Sequence, residues 1–317
     1  MAKQKIKNQN LKKKDSKKST KKKHREIKKR YAAQNLLVLS FGFAWLICGA
    51  LYLFNDGIGG MIGYIAVIII LFVPALFTLL IYNKYLLEKL DLSLNPSLWY
   101  LVALFLPVIF SAASFGVSLL MPEVTYSWES SDWLLKFKGN FNPEQLAALE
   151  AGNHPFYLYS AQQIVFGATF ATFFAFGEEL GWRGLLLKEW GEDLGFWKAS
   201  FLIGLFWGLW YIPLELMGRN FPDNPTEGAV ITLIWCILLS PSVVWVKTKA
   251  RSVAAAALFM GIMQGVTSSS SLLLVGASPT YSGLRSFSGV IVLLCFNGLL
   301  YFLVKPSLKI KNPEDIL

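Results

Sequence analysis

The sequence predicts an all-α integral membrane protein with about eight transmembrane helices. Two observations carry this. The 317 residues are 54% hydrophobic and only 16% charged, with a mean hydropathy of +0.47. The apolar residues also gather into runs of roughly 20, the length that crosses a bilayer core. Such a composition excludes a disordered chain and an ordinary soluble enzyme. Eight spans use about 160 residues and leave about half the chain for loops and tails, so one membrane domain with appendages is expected.

The first element is a tail, residues 1–34. Met1 to Arg30 carries fifteen Lys and Arg against Asp15 and Glu26, a net +13, so the overall +10 leaves −3 for the other 287 residues. Runs such as Lys12-Lys13-Lys14 and Lys21-Lys22-Lys23 cannot bury enough apolar surface to fold and are expected to be disordered. The stretch from Lys12 to Lys29 suits anionic lipid head groups, at about 1 kcal/mol per basic residue near the surface; a tail that only fixes topology is the other reading. No aromatics interleave the lysines to stack on bases, so no specific nucleic acid is expected. About 34 mostly polar residues precede the first apolar run and no small-residue cleavage site follows it, which argues against a signal peptide.

Apolar runs follow at about 35–55, 61–82, 99–121, 160–189, 196–218, 228–248, 251–275 and 287–304, giving a membrane domain over 35–304 and a second tail over 305–317. An even number of spans puts both ends on one side, and the Lys-rich tail makes that side cytoplasmic. Inside segments then hold ten Lys or Arg (84, 89, 188, 198, 247, 249, 251, 305, 309, 311) against four outside (136, 138, 219, 285). The longest outside segment, 122–162, reads as an interfacial cap with a short helix near 143–151. Cys48, Cys236 and Cys295 lie inside apolar runs without CxxC spacing, so they read as packing residues. A bacterial plasma membrane is the expected location.

Charge inside a span costs at least about 2.5–3.5 kcal/mol, which makes such residues the first functional candidates. The fourth run contains Phe176-Gly177-Glu178-Glu179-Leu180-Gly181-Trp182-Arg183-Gly184. Glu179 and Arg183 are four apart and can pair on one helix face. Glu178 has no partner in its own helix, and a carboxylate in a partly dry site can act as a general base towards water. Both a structural ion pair and a catalytic carboxylate fit this pattern. A Ser–His pair, a Ser–Lys pair and an aspartyl dyad are read as excluded, because no His or Asp lies within the runs and Lys188, Lys198 and Lys247 stand only at run ends, on the cytoplasmic side. Glu215 and Arg219, also four apart at the outer end of the fifth run, read as a surface pair. The stretch from Thr267 to Ser271 reads as small-residue packing or as a cavity lining.

Glu-Glu-x-x-x-Arg at Glu178, Glu179 and Arg183 resembles the first motif of the CPBP family, the CAAX prenyl endopeptidase and bacteriocin-processing or Abi family of intramembrane peptidases. Phe206 to Leu214 resembles the surroundings of its second motif, an aromatic-x-x-x-His followed by Pro, and Ser252 to Gln264 resembles the helix carrying His-x-x-x-Asn. The resemblance spans about 163–275 and implies an eight-helix CAAX-protease-like bundle. It makes Glu178 the water-activating position, with Glu179 and Arg183 as companions. It also places Tyr211 and Met260 at the two histidine positions and Gln264 at the Asn position. The only histidines are His24 and His154, neither in a span. Trp207 and Tyr211 share one helix face, as do Met260 and Gln264.

These replacements lead to a catalytically degenerate pseudopeptidase that binds or regulates a membrane protein or peptide partner. Tyr211 and Gln264 can donate hydrogen bonds, whereas Met260 offers only a weak thioether acceptor. An active endopeptidase or acyl-transfer enzyme using Glu178 as general base, with Tyr211 and Gln264 in altered roles, is the alternative. A solute transporter with a cavity lined by Glu178, Gln264 and Ser268 is a third reading, for which repeats are missing. Glu178 and Glu179 alone do not make a zinc site, so no metal or other cofactor is expected. Depth counting from the run ends puts Tyr211 nearer the outer end of its helix than Glu178 is in its own, so contact between them would need strong tilt.

Overall fold

The computed structural model describes residues 31–54, 57–81, 90–92, 97–129, 134, 144, 147, 148 and 155–308. Residues 1–30 and 309–317, which hold most of the two expected tails, lie outside this set. So does most of the short helix expected at 143–151, of which Glu144, Ala147 and Ala148 are described and are helical.

Helix α1 runs over Tyr31–Phe54, beginning inside the stretch assigned to the tail because Tyr31, Ala32 and Ala33 are already compatible with a helix. Helix α2 is Gly60–Ile81 and α3 is Leu98–Ser118. A helical stretch of 61 residues then covers Phe156–Leu216. It is two helices, because Gly195 adopts φ +71° and ψ 178°, a conformation open to glycine but strained for a residue with a Cβ. We call its limbs α4 (156–194) and α5 (196–216). Ring contacts between Trp190 and Phe206 (5.7 Å) and between Trp182 and Trp210 (5.8 Å) show α5 folding back along α4. Helix α6 is Pro225–Ala250, with Pro225 in its first turn and Arg251 in the left-handed region at its end. Helix α7 is Val253–Leu272, capped by Ser252, and α8 is Phe287–Leu299, capped by Ser286 and continued by the π-turn Leu300–Val304.

Among the described residues, six helical stretches are long and apolar enough to cross a membrane; one of them is the α4–α5 pair, and α7 is a further, shorter apolar helix. The chain is therefore an all-α multi-pass membrane protein, and among the described residues eight apolar helical limbs lie where the apolar runs predict them. A two-residue antiparallel ladder joins β1 (Thr125–Tyr126) to β2 (Leu274–Val275) beyond the ends of α3 and α7.

Burial ranks the helices. Only 28% of the apolar stretch of α1 and of α2 is buried, against 61% for α6. Side chains such as Leu46, Phe54 and Leu80 are exposed on the outer helices, where acyl chains can cover them. Lipid offers little hydrophobic gain for bringing two helices together, so close backbone approach has to hold the inner ones. Three Gly-x-x-x-Gly pairs provide it. A Cβ added at Gly181 would lie 2.5 Å from Pro74 Cβ of α2, and one at Gly177 would lie 2.9 Å from Leu71 O. One at Gly204 would lie 2.7 Å from Cys236 O of α6, and at Gly208 3.0 Å from Leu233 Cα. One at Gly265 would come within 2.2 Å of Gln163 O of α4, and Gly261 meets Gly167 in the same way. Helices α4, α5 and α7 are thereby packed to near backbone contact with α2, α6 and α4.

Candidate functional site

Glu178 lies in the last α-helical turn before a π-helical segment, Leu180–Leu186, that carries Arg183. A π segment shifts side-chain register against the regular helix and is often found at functional sites. Glu178 is buried, and each of its carboxylate oxygens accepts a hydrogen bond from α5: Oε1 from the Tyr211 hydroxyl at 2.7 Å and Oε2 from the Trp207 indole Nε1 at 2.9 Å. Depth counting is thus corrected. The relevant origin is the turn at Gly195, which Glu178 precedes by 17 residues and Tyr211 follows by 16, so the hairpin brings the two together from nearly equal distances along its limbs.

Glu179 points elsewhere. Its Oε1 accepts from Arg183 Nη1 at 2.8 Å, with both side chains sealed at 1% and 0% exposure. The Arg183 guanidinium also stacks 4.5 Å from the centroid of the Trp207 ring. Trp207 therefore binds Glu178 through its edge and Arg183 through its face. One aromatic side chain ties the two neighbouring acidic residues into a single buried network.

The remaining sequence candidates separate from this centre. Met260 is buried in the core. Gln264, one turn on, is exposed, and its Oε1 accepts from Arg285 Nη2 at 3.3 Å. Glu215 is fully buried and accepts from Asn220, while Arg219 lies over the Tyr211 ring at 5.9 Å. The surface pair expected between Glu215 and Arg219 is thus replaced by a capped buried carboxylate and a cation–π contact. Near the serine stretch, Tyr159 and Ser268 share a 3.4 Å hydrogen bond, Thr267 bonds Met263 O at 2.6 Å, and Ser271 bonds Ser268 O at 2.9 Å. These hydroxyls mostly return to their own helix.

Arg285 is the residue that sequence reasoning assigned only to loop charge. It sits between β2 and α8, half-buried, with its guanidinium 4.8 Å from the Trp235 ring centroid. It helps to line a cavity of ≈ 10 Å³, about the room for one water molecule, together with Trp207, Tyr211, Thr232, Trp235, Cys236 and Gln264. Glu178 does not line it, whereas both of its hydrogen-bond donors do.

The residues do not suit a divalent metal. Among the described residues no group of three or more His, Cys, Asp or Glu side chains converges as a ligand set would. The neighbours of Glu178 are an indole N–H and a phenol, neither an ordinary ligand of such ions.

Residues 160–266 match the family model described as "Type II CAAX prenyl endopeptidase Rce1-like". This third of the chain is similar to the CAAX prenyl endopeptidases, in agreement with its CPBP-like motifs. A curated CAAX prenyl protease 2 from Methanococcus maripaludis is 41% identical over 44 residues, which is 14% of this chain and 16% of that protein. The match therefore spans less than a fifth of the relative's length. The matched stretch includes Glu178, Glu179, Arg183, Tyr211, Met260 and Gln264 and ends before Arg285.

Proposed function

We propose that this protein is a CPBP-family pseudopeptidase, a membrane scaffold that binds or regulates a membrane partner instead of hydrolysing a peptide bond. The observation behind this reading is that both oxygens of Glu178 accept hydrogen bonds from Trp207 and Tyr211. A general base must reach its proton directly or through one water, yet the cavity meets Trp207 and Tyr211, not Glu178. Met260, at a histidine position of the resemblance, has no proton to give and no N–H to hold an oxyanion. Losing one such partner costs roughly 10²–10⁴-fold in rate.

A second reading rests on one contact. The 2.7 Å bond from Tyr211 to Glu178 gives the carboxylate a proton-bearing neighbour on the cavity wall, as an endopeptidase or acyl-transfer enzyme with altered roles would require.

The deciding experiment is quantitative N-terminal peptide mapping of the membrane proteome in wild type, a deletion strain, and the deletion complemented with Glu178→Gln at matched expression. Unchanged N-termini, with the deletion's effects rescued by Glu178→Gln, are expected. New N-termini that disappear in both mutant strains would overturn the scaffold reading in favour of the enzyme.

We further place the protein in a bacterial plasma membrane with both termini cytoplasmic and the Lys12–Lys29 stretch against anionic head groups. The ten-to-four distribution of Lys and Arg supports this. An N-terminal epitope digested in inverted membrane vesicles but protected in intact cells is the expected result.

A further inference from the structure

The cavity beside Arg285 carries more hydrogen-bond donors than its own walls satisfy. Arg285 Nε is buried without a partner, and its neighbour Nη2 holds only the long 3.3 Å bond to the neutral amide oxygen of exposed Gln264. Nε and Nη2 form the edge of a guanidinium that grips a carboxylate side-on, with two parallel N–H···O bonds. Across the same cavity Thr232 Oγ1 is also buried without a partner, in a residue that is 3% exposed. The nearby carboxylate, Glu215, acts on Arg285 through its charge but does not take this edge: its Oε1 accepts from Asn220, and its buried Oε2 makes no hydrogen bond to the guanidinium.

The segment that presents Arg285 is held from several sides. Trp235 Nε1 donates to Leu284 O at 3.1 Å, Gly283 N donates to Ser118 Oγ at 3.0 Å, and Ser286 Oγ donates to Gly283 O at 2.6 Å. The guanidinium rests on the Trp235 ring, so its donor edge is set before any ligand arrives.

We propose that Arg285 and Thr232 form a carboxylate-binding subsite, in which an incoming carboxylate takes the Nε–Nη2 edge in place of Gln264 while Thr232 donates to it. This deepens the binding reading above and rests on it: the partner is a peptide or protein segment whose carboxylate displaces the exposed Gln264 amide at the edge of the Trp207–Trp235 cavity, whose own room is about that of one water. The neutral amide of Gln264, exposed and weakly bonded, is the displaceable stand-in.

The test uses the full-length protein in nanodiscs and three probes: a hydrophobic tripeptide with a free C-terminal carboxylate, its C-terminal amide, and the amide carrying one internal glutamate. Wild type is expected to bind at least one carboxylate-bearing peptide roughly tenfold or more tightly than the plain amide, the range of a charge-assisted hydrogen bond. Which of the two binds identifies the carboxylate as terminal or side-chain. Arg285→Gln should abolish the discrimination, and Thr232→Val, an isosteric change that removes only the hydroxyl's hydrogen bonding, should weaken it several-fold. Equal binding of acid and amide, no binding of any probe to wild type, or discrimination surviving both substitutions would overturn the proposal. Mass spectrometry of the same mixtures reports cleavage separately. Hydrolysis with discrimination intact would remove the scaffold reading and leave the subsite standing.

Discussion

Glu178 and Arg285 lie beside two indoles in contact, Trp207 and Trp235, whose ring centroids are 6.2 Å apart, yet their charges are treated in opposite ways. The carboxylate is met at both oxygens from within the fold; the guanidinium is left with one buried donor unmet and another on a long bond. A satisfied buried group rigidifies, whereas an unsatisfied one at a cavity costs free energy until a ligand meets it. On the scaffold reading proposed above, the Glu178 carboxylate joins α4 to α5, although Arg183 in the same motif keeps its Nε and Nη2 buried without a hydrogen-bond partner. The proposed carboxylate subsite at Arg285 lies outside the matched stretch.

The comparison can be broken most severely at the Glu179–Arg183 pair. Arg183→Ala leaves a carboxylate sealed at 1% exposure without its partner and should destabilise the protein by about 3–5 kcal/mol. Thermal unfolding in detergent would show this; replacing both residues with apolar ones of similar volume should recover most of the loss, because the pair's net contribution is small once both charges are gone. A fall in stability that persists in the double variant would mean that the pair is more than a mutual neutralisation.

At the next level, Tyr211→Phe removes one of the two bonds to Glu178 and is expected to cost about 1.5–3 kcal/mol, the range for hydrogen bonds to charged groups. Near-wild-type stability in this variant would show that Tyr211 does not hold the carboxylate. Gly204→Ala tests the frame around both centres. Its added methyl would meet Cys236 O and Ile237 Cα at 2.7 Å, and a cost of about 1–3 kcal/mol from overpacking is expected. Denaturation of the purified variant would measure it.

The sequence made the fold legible because hydrophobic runs of bilayer length are a strong signal, and the eight limbs fall where those runs do. It made Glu178, Glu179 and Arg183 legible for a related reason: charge within an apolar run stands out. The contact between Glu178 and Tyr211 was harder to read, since depth was counted from the ends of runs while the geometry is set by the glycine turn at Gly195. The grouping of Gln264 with Glu178 failed differently. Helical spacing fixes which residues share a face but not which neighbour that face meets, and Gln264 faces Arg285. Arg285 itself lacked any local signal, because only the tertiary bonds of Leu284 and Gly283 to α6 and α3 fold its loop onto the cavity. The Gly-x-x-x-Gly pairs were in plain view, and their four-residue spacing within apolar runs would have flagged the close crossings.

The smallest stability effect belongs to Arg285→Gln, and it sharpens the comparison most. Arg285 is half-buried, stacks on Trp235 and holds one long bond, so its removal forfeits a cation–π contact of about 0.5–1 kcal/mol while relieving a buried donor of its unmet bond. The two terms oppose each other, and unfolding should shift by less than about 1 kcal/mol. Tyr211→Phe should therefore destabilise more than Arg285→Gln, although it deletes a single hydroxyl and keeps every formal charge. The reverse ranking in paired unfolding curves would mean that Arg285 is held by the fold as tightly as Glu178 is, and the contrast between a closed centre and an open one would collapse.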